Sequence, residues 1–236
     1  VILPDGAGES LLQRNINEIR ERVHLAAVDA GRDPAGITIT AVSKTFPRDL
    51  VDEAYRLGLT TFGENRVQEA KAKFDDELPT DMRVHLIGQL QTNKAKQAIA
   101  IFDRIESVDR LSLVEALEKE AARADTLVSV LVQVNIGREP QKSGCLPEEA
   151  AELVEAVLDS THLRLDGLMG IAPLVEYQED ARPYFRLLRE LRDDLAGANP
   201  DLGLDVLSMG MSGDFEAAIA EGATHVRIGS AIFGSR

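Results

Sequence analysis

The stretch ITITAVSKTFP, residues 37–47, decides the fold and frames the chemistry. Ile37, Ile39 and Ala41 alternate with Thr38, Thr40 and Val42, a period of two that predicts a strand. Lys44 continues the second face at the carboxyl end, and Pro47 stops the run. Lysine is rarely buried unless it is paired or used. Lys44 is therefore either a charge reaching solvent from a strand end or a desolvated amine. In the second case burial lowers its pKa and readies it to attack a carbonyl and form a Schiff base. The other strands must decide.

Strand-like and helix-like stretches alternate on both sides of this segment. Upstream, Ser10 and Gln13 make a capping box for a helix with Leu12, Ile16, Ile19, Val23, Ala26, Ala27 and Ala30 at helical spacing. Gly31 and Pro34 close it. Downstream, strands are expected at 60–65, 83–89, 104–109, 127–135, 165–173, 204–211 and 225–233. Helices are expected between them, at 48–57, after Asn65, at 93–102, from Asp109 through Arg123, after Pro147, at 177–196 and at 214–221. Asn65 with Gln68, and Asp109, are placed as helix caps.

Such alternation indicates a parallel sheet. Eight units of roughly 30 residues fill the chain, a little under the length typical of a barrel of this kind. The expected fold is α/β, a (β/α)8 TIM-type barrel forming a single domain over residues 1–236. No helix follows strand eight, so the extra N-terminal helix is expected to cover that flank. An open doubly wound sheet is the alternative, weakened because no Gly-rich dinucleotide fingerprint follows any strand.

Composition narrows the function. The 236 residues are 44% hydrophobic and 28% charged, which suits one full-sized core. A net charge of −14 argues against non-specific nucleic-acid binding. Cys145 stands alone, so no internal disulfide is available, and the four histidines show no metal-ligand spacing. No apolar run reaches membrane-spanning length and no signal peptide opens the chain, so a cytoplasmic protein is expected.

In a barrel, functional groups gather at the carboxyl ends of the strands. Here those ends carry Lys44, Asn65, Gln89, Asp109, Asn135, Pro173, the turn 208–212 and the turn 227–230. The last two, within LSMGMSGDFEAAI and VRIGSAIFG, combine serine and glycine ahead of a helix start, an anion-binding pattern. Strand eight closes against strand one, which brings this cup beside Lys44. An aldehyde carrying a phosphate would span the two, and pyridoxal 5′-phosphate is a cofactor of that description. Arg227 shares a face with Gly229 and points into the lumen, where it could meet the ring or pair with Asp166 or Asp205. His85 is either a barrel-interior histidine or a cofactor neighbour. Basic residues in GENRVQEAKAK and TNKAKQA form either a solvated face or a delivery surface.

The motifs AVSKT, FGENRVQEA, HLIGQLQTNK, SVDR, KSG, GLMGIAP and LSMGMSGDFEAAIAEGATHVRIGSAIFG together resemble the pyridoxal-phosphate homeostasis protein family. The match runs from Lys44 to Phe233, and the family's fold is similar to the barrel domain of alanine racemase. The resemblance implies that Lys44 forms the Schiff base and that Ser208, Ser212, Gly229 and Ser230 surround the phosphate. It implies that Arg227 faces the pyridine nitrogen and that Asn65, His85 and Met209 line the pocket.

Two readings of function follow. One is a carrier or buffer of pyridoxal phosphate with little or no catalysis, acting as a monomer, with cofactor-dependent apo-enzymes as partners. The other is an amino-acid racemase. Racemisation needs a second base on the opposite cofactor face, drawn in alanine racemase from another domain. The chain leaves no residues to build one, which favours the carrier. A Schiff-base aldolase or phosphate-binding isomerase fits the motif set worst.

Overall fold

The computed structural model describes residues 10–198 and 202–234. Within them, eight parallel strands close into a barrel in chain order. They are β1 (Thr38–Val42), β2 (Thr61–Glu64), β3 (Arg83–Leu86), β4 (Arg104–Val108), β5 (Val128–Val134), β6 (Leu163–Gly170), β7 (Val206–Met211) and β8 (His225–Ile228). Closure is direct, with Thr38 to Ala41 of β1 in register with His225 to Ile228 of β8. The barrel is the expected one, and the open doubly wound sheet is set aside.

The helices run outside the strands: α1 (Leu11–Asp29), α2 (Arg48–Arg56), α3 (Val67–Lys73), α4 (Ala95–Ile99), α5 (Leu111–Ala124), α6 (Ala150–Leu158), α7 (Arg182–Ala198), α8 (Phe215–Ala220) and α9 (Ser230–Phe233). Among the described residues no helix is long and apolar enough to cross a membrane. The main hydrophobic core lies between strands and helices. Val128, Val130, Val132 and Val134 of β5 all enter it, while Leu131 packs with Met169 and Val206 in a separate small cluster. That division is the period-two alternation of β5 made physical.

Helix α1 covers the flank beside α8 and α9. The Ser10 hydroxyl accepts from the Gln13 amide at 3.2 Å, and Gly31 takes φ 67° just beyond the helix. Leu12, Ile16, Ile19, Val23 and Ala27 are buried, the larger ones each stabilising the docking by about 1.5–3 kcal/mol. Asn15 donates to the Ile232 carbonyl at 2.9 Å, and Arg32 donates to the carbonyls of Ile219 and Ala223 at 2.8 Å. Replacing Ile16 by alanine would open a cavity at the centre of this seam.

Local expectations change at several element ends: β3 stops at Leu86, β6 at Gly170, and α7 starts only at Arg182. Strand eight stops at Ile228, and residues 230–233 turn into α9, because Gly229 leaves the extended conformation at φ −114°, ψ −78°. Asn65 does not cap α3: the cap position falls on Arg66, one residue later. Asp109 likewise yields its place to Arg110, and its carboxylate pairs with the Arg110 guanidinium instead. A register shift in β7, between the Ser208–His225 and Met211–Arg227 pairs, is accommodated at Gly210. Its φ is 90°, and a Cβ there would lie 2.6 Å from that of Ala218.

Candidate functional site

At the carboxyl end of the barrel, Lys44 sits two residues beyond β1 in a tight turn. Lys44 is exposed, which matches the first of the two readings, a charge reaching solvent from a strand end, rather than a desolvated amine: the strand ends at Val42 and the turn lifts Lys44 out of the wall. Lys44, Asn65, Gly229 and Ser230 line one open cleft of about 580 Å³, with Val42 and Phe46 as apolar wall and Arg66 and Glu69 at its rim.

One end of the cleft is the start of α9. The N–H groups of Ser230 and Ala231 fall in the first turn, where a helix offers no internal acceptor. The Gly229 amide points at the Ser212 hydroxyl, 3.4 Å away. A Cβ at position 229 would come within 3.3 Å of the Val42 Cβ, so glycine permits β8 and β1 to meet here. Asp214 supports the preceding turn by accepting from the Met211 amide at 2.6 Å. Burial pushes its carboxyl above the usual aspartate range.

Three other expected site residues form a separate network inside the barrel. His85 Nδ1 lies 2.9 Å from one Glu106 oxygen, and the Ser208 hydroxyl donates to the other at 2.6 Å. Arg227 donates to Ser208 at 2.7 Å and to the Gly170 carbonyl at 2.8 Å. Ser208 pairs in register with His225 at the foot of β8. It therefore lies four residues, roughly 13 Å along a strand, below the turn at Gly229. Met209 is fully buried within the large hydrophobic cluster. The structure thus brings Lys44, Asn65, Ser212, Gly229 and Ser230 together and holds His85, Ser208 and Arg227 behind them.

Arg227 finds neither Asp166 nor Asp205. Asp166 is taken by Arg104 and Arg164, and the carboxylate facing Arg227 across Ser208 is Glu106. Burial alone would push the Glu106 carboxyl up. The His85 hydrogen bond, the charges of His85 and Arg227 and the Ser208 hydroxyl outweigh it and hold the group at about 2. On the far side, burial pushes His225 down to about 4.

A family model described as "Alanine racemase, N-terminal domain" matches residues 10–236. The Pyridoxal phosphate homeostasis protein of Aquifex aeolicus (strain VF5) is 43% identical over 221 residues, covering 94% of this chain and 96% of its own. That of Pseudomonas aeruginosa is 44% identical over 227 residues, covering 96% of each. The chain belongs to the pyridoxal phosphate homeostasis protein family. The structure of PipY from Synechococcus elongatus PCC7942, with PLP bound, superimposes with a TM-score of 0.83 at 35% identity, covering 94% of this chain and 100% of that one.

Around this family's cleft, sequence reasoning passed over Glu106 and Glu64. It read the basic residues of GENRVQEAKAK as a solvated face or a delivery surface, and Lys73 is neither: its side chain is 7% exposed and paired with Glu64. A usable signal existed for the two carboxylates. In a parallel strand flanked by helices, a carboxylate within the strand, as at Glu106 in mid-β4 and Glu64 at the end of β2, has only the lumen or a partner to turn to. The lone Cys145 is buried, and its thiol is pushed up to about 12 by desolvation and neighbouring carboxylates, which leaves it unreactive.

Proposed function

We propose that this chain carries or buffers pyridoxal 5′-phosphate, held in the cleft as a reversible Schiff base to Lys44, with little or no catalysis. The observation that carries the reading is that Lys44, Asn65, Gly229 and Ser230 line one open cleft. The donor set fits the group: a primary amine at one end, hydroxyls and first-turn amides at the other. The bound group would supply an aldehyde to the first and a phosphate to the second. Ser230, Ser212 and the amides at the start of α9 bind the anion. Asn65 orients the ring between them, and Arg227 with Ser208, His85 and Glu106 forms a charged floor beneath.

Racemisation asks for two proton-exchanging groups on opposite faces. Among the cleft-lining residues the candidates are Lys44 and Glu69, and Glu69 is occupied by the Thr45 amide and by Lys73 at 3.7 Å. An open mouth also admits water, which weakens the electrostatics a carbanion would need. It equally admits an acceptor, which suits a carrier serving cofactor-dependent apo-enzymes in the cytoplasm. The net charge of −14 favours a soluble monomer.

The test is an absorption spectrum of the purified protein before and after borohydride, followed by peptide mapping of the reduced adduct. An adduct on Lys44, absent in Lys44→Ala, supports the reading; an adduct on Lys94, Lys96 or Lys142 overturns it. Incubation with L- and D-alanine in deuterated water separates carrier from racemase. Rapid stereo-inverting exchange at the α-carbon, abolished in Lys44→Ala, would restore the racemase.

A further inference from the structure

The turn that presents Lys44 is gripped on both sides by one charge cluster from β2 and α3, buried at Glu64 and Lys73 and partly exposed at Glu69. On the near side, the Ser43 hydroxyl donates to Glu64 Oε1 at 2.8 Å, and the Ser43 carbonyl accepts from Lys73 Nζ at 2.7 Å. On the far side, the Thr45 amide donates to Glu69 Oε1. Lys73 joins the two grips: its ammonium lies 2.6 Å from Glu64 Oε1 and 3.7 Å from Glu69 Oε1. The Lys73 side chain is 7% exposed and that of Glu64 fully buried, whereas most lysines in this chain face solvent.

Two features set this cluster apart from an ordinary ion pair. Thr45 adopts φ 67°, a left-handed conformation that a β-branched residue reaches only when its surroundings impose it. Glu64 Oε2 is buried with no hydrogen-bond partner among the described residues. A buried pair with an unsatisfied oxygen is a poor way to stabilise a barrel, and an apolar pair of the same volume would serve as well or better. What the arrangement does provide is a fixed geometry for the residues either side of Lys44.

We infer that Lys73, with Glu64 and Glu69, is a positioning residue that holds the Lys44 turn so that its amine faces the cleft. This rests on the reading of Lys44 as the covalent anchor. Lys73 touches no cargo; it acts through the backbone of Ser43 and through the carboxylate that holds Thr45. Loss of the ammonium lets Thr45 relax toward an unstrained conformation and swings Lys44 away, while the serine and amide donors at α9 stay where they are.

The experiment uses the full chain and two readouts. The first is amide hydrogen exchange at Thr45 and Phe46, compared with Val130 and Val132 in β5. In Lys73→Met, exchange at Thr45 rises at least tenfold while the β5 amides keep parent rates. The second compares pyridoxal phosphate with 4-deoxypyridoxine 5′-phosphate, which has no aldehyde. Lys73→Met binds the deoxy analogue within twofold of the parent but yields at least fivefold less borohydride-fixed adduct at Lys44. Glu69→Ala, at a partly exposed position, releases the Thr45 grip alone and gives a smaller change of the same kind should Lys73→Met fold poorly. Unchanged exchange at Thr45, or a parallel rise at Thr45 and Val130, overturns the inference. Absence of any Lys44 adduct in the parent would instead remove the proposed function, with the exchange readout still deciding whether the clamp exists.

Discussion

Substituting Glu106→Gln removes the one negative charge at the centre of the interior network and leaves its shape almost intact. In the folded chain the carboxyl titrates at about 2, against 4.5 for an unperturbed glutamate. That difference corresponds to about 3 kcal/mol of stability at neutral pH. Because the folded value is the lower one, the contribution is complete above pH ~5 and disappears as the pH falls through about 2. By the same relation only about 1 kcal/mol remains near pH 3. Part of the neutral-pH figure is the interaction with the buried Arg227, whose desolvation Glu106 offsets. Urea unfolding of parent and variant, followed by circular dichroism at pH 7 and pH 3, measures both numbers. A loss of about 3 kcal/mol at pH 7 that shrinks to about 1 at pH 3 is expected. A difference that is the same at both pH values would refute the picture of Glu106 as a carboxylate kept charged by His85, Ser208 and Arg227.

Replacing Ser212 and Ser230 together by alanine should weaken retention of pyridoxal phosphate by 100-fold or more, at about 1.5–3 kcal/mol per charge-assisted hydrogen bond, and by more than Asn65→Ala does. Equal dissociation constants for double variant and parent, by equilibrium dialysis, would move the phosphate elsewhere. Gly210→Ala should destabilise the chain by about 1–3 kcal/mol, since the new methyl meets Ala218 and Phe215, and a denaturation midpoint matching the parent's would contradict this. Ser10→Ala should cost about 1 kcal/mol through loss of the α1 cap, measured in the same way.

Periodicity carried the architecture because each strand here is short, bounded by turn residues and buried against helices. The alternation of residues 37–42 and 128–134 therefore maps directly onto core and lumen. Boundaries were less legible. Residues 225–233 read as one strand, and only the backbone at Gly229 shows where β8 gives way to α9. The site divided along the same line. Lys44, Asn65, Gly229 and Ser230 follow strand ends, which topology brings together. Ser208 is decided by register across β7 and β8, and a bulge at Gly210 is invisible in a list of residue types. Lys73 was hidden because a charged letter on a helix suggests solvent, whereas here it is enclosed with Glu64 from the strand before it; Glu106 is likewise enclosed, with His85 of the neighbouring strand.

The pairing of β1 with β8 bears on how the molecule is made. While the chain is being synthesised, β1 emerges early and keeps a row of unsatisfied backbone groups on one side until residues 225–228 follow. Every intermediate before that moment is an open, curling sheet with two sticky edges, and loop-closure entropy delays the final zipper. The α1 helix cannot complete its seat either, because α8 and α9 are among the later parts to appear. Ring closure is thus a late and cooperative event, and ribosome-bound chains stalled before residue 225 should be the species most in need of a chaperone.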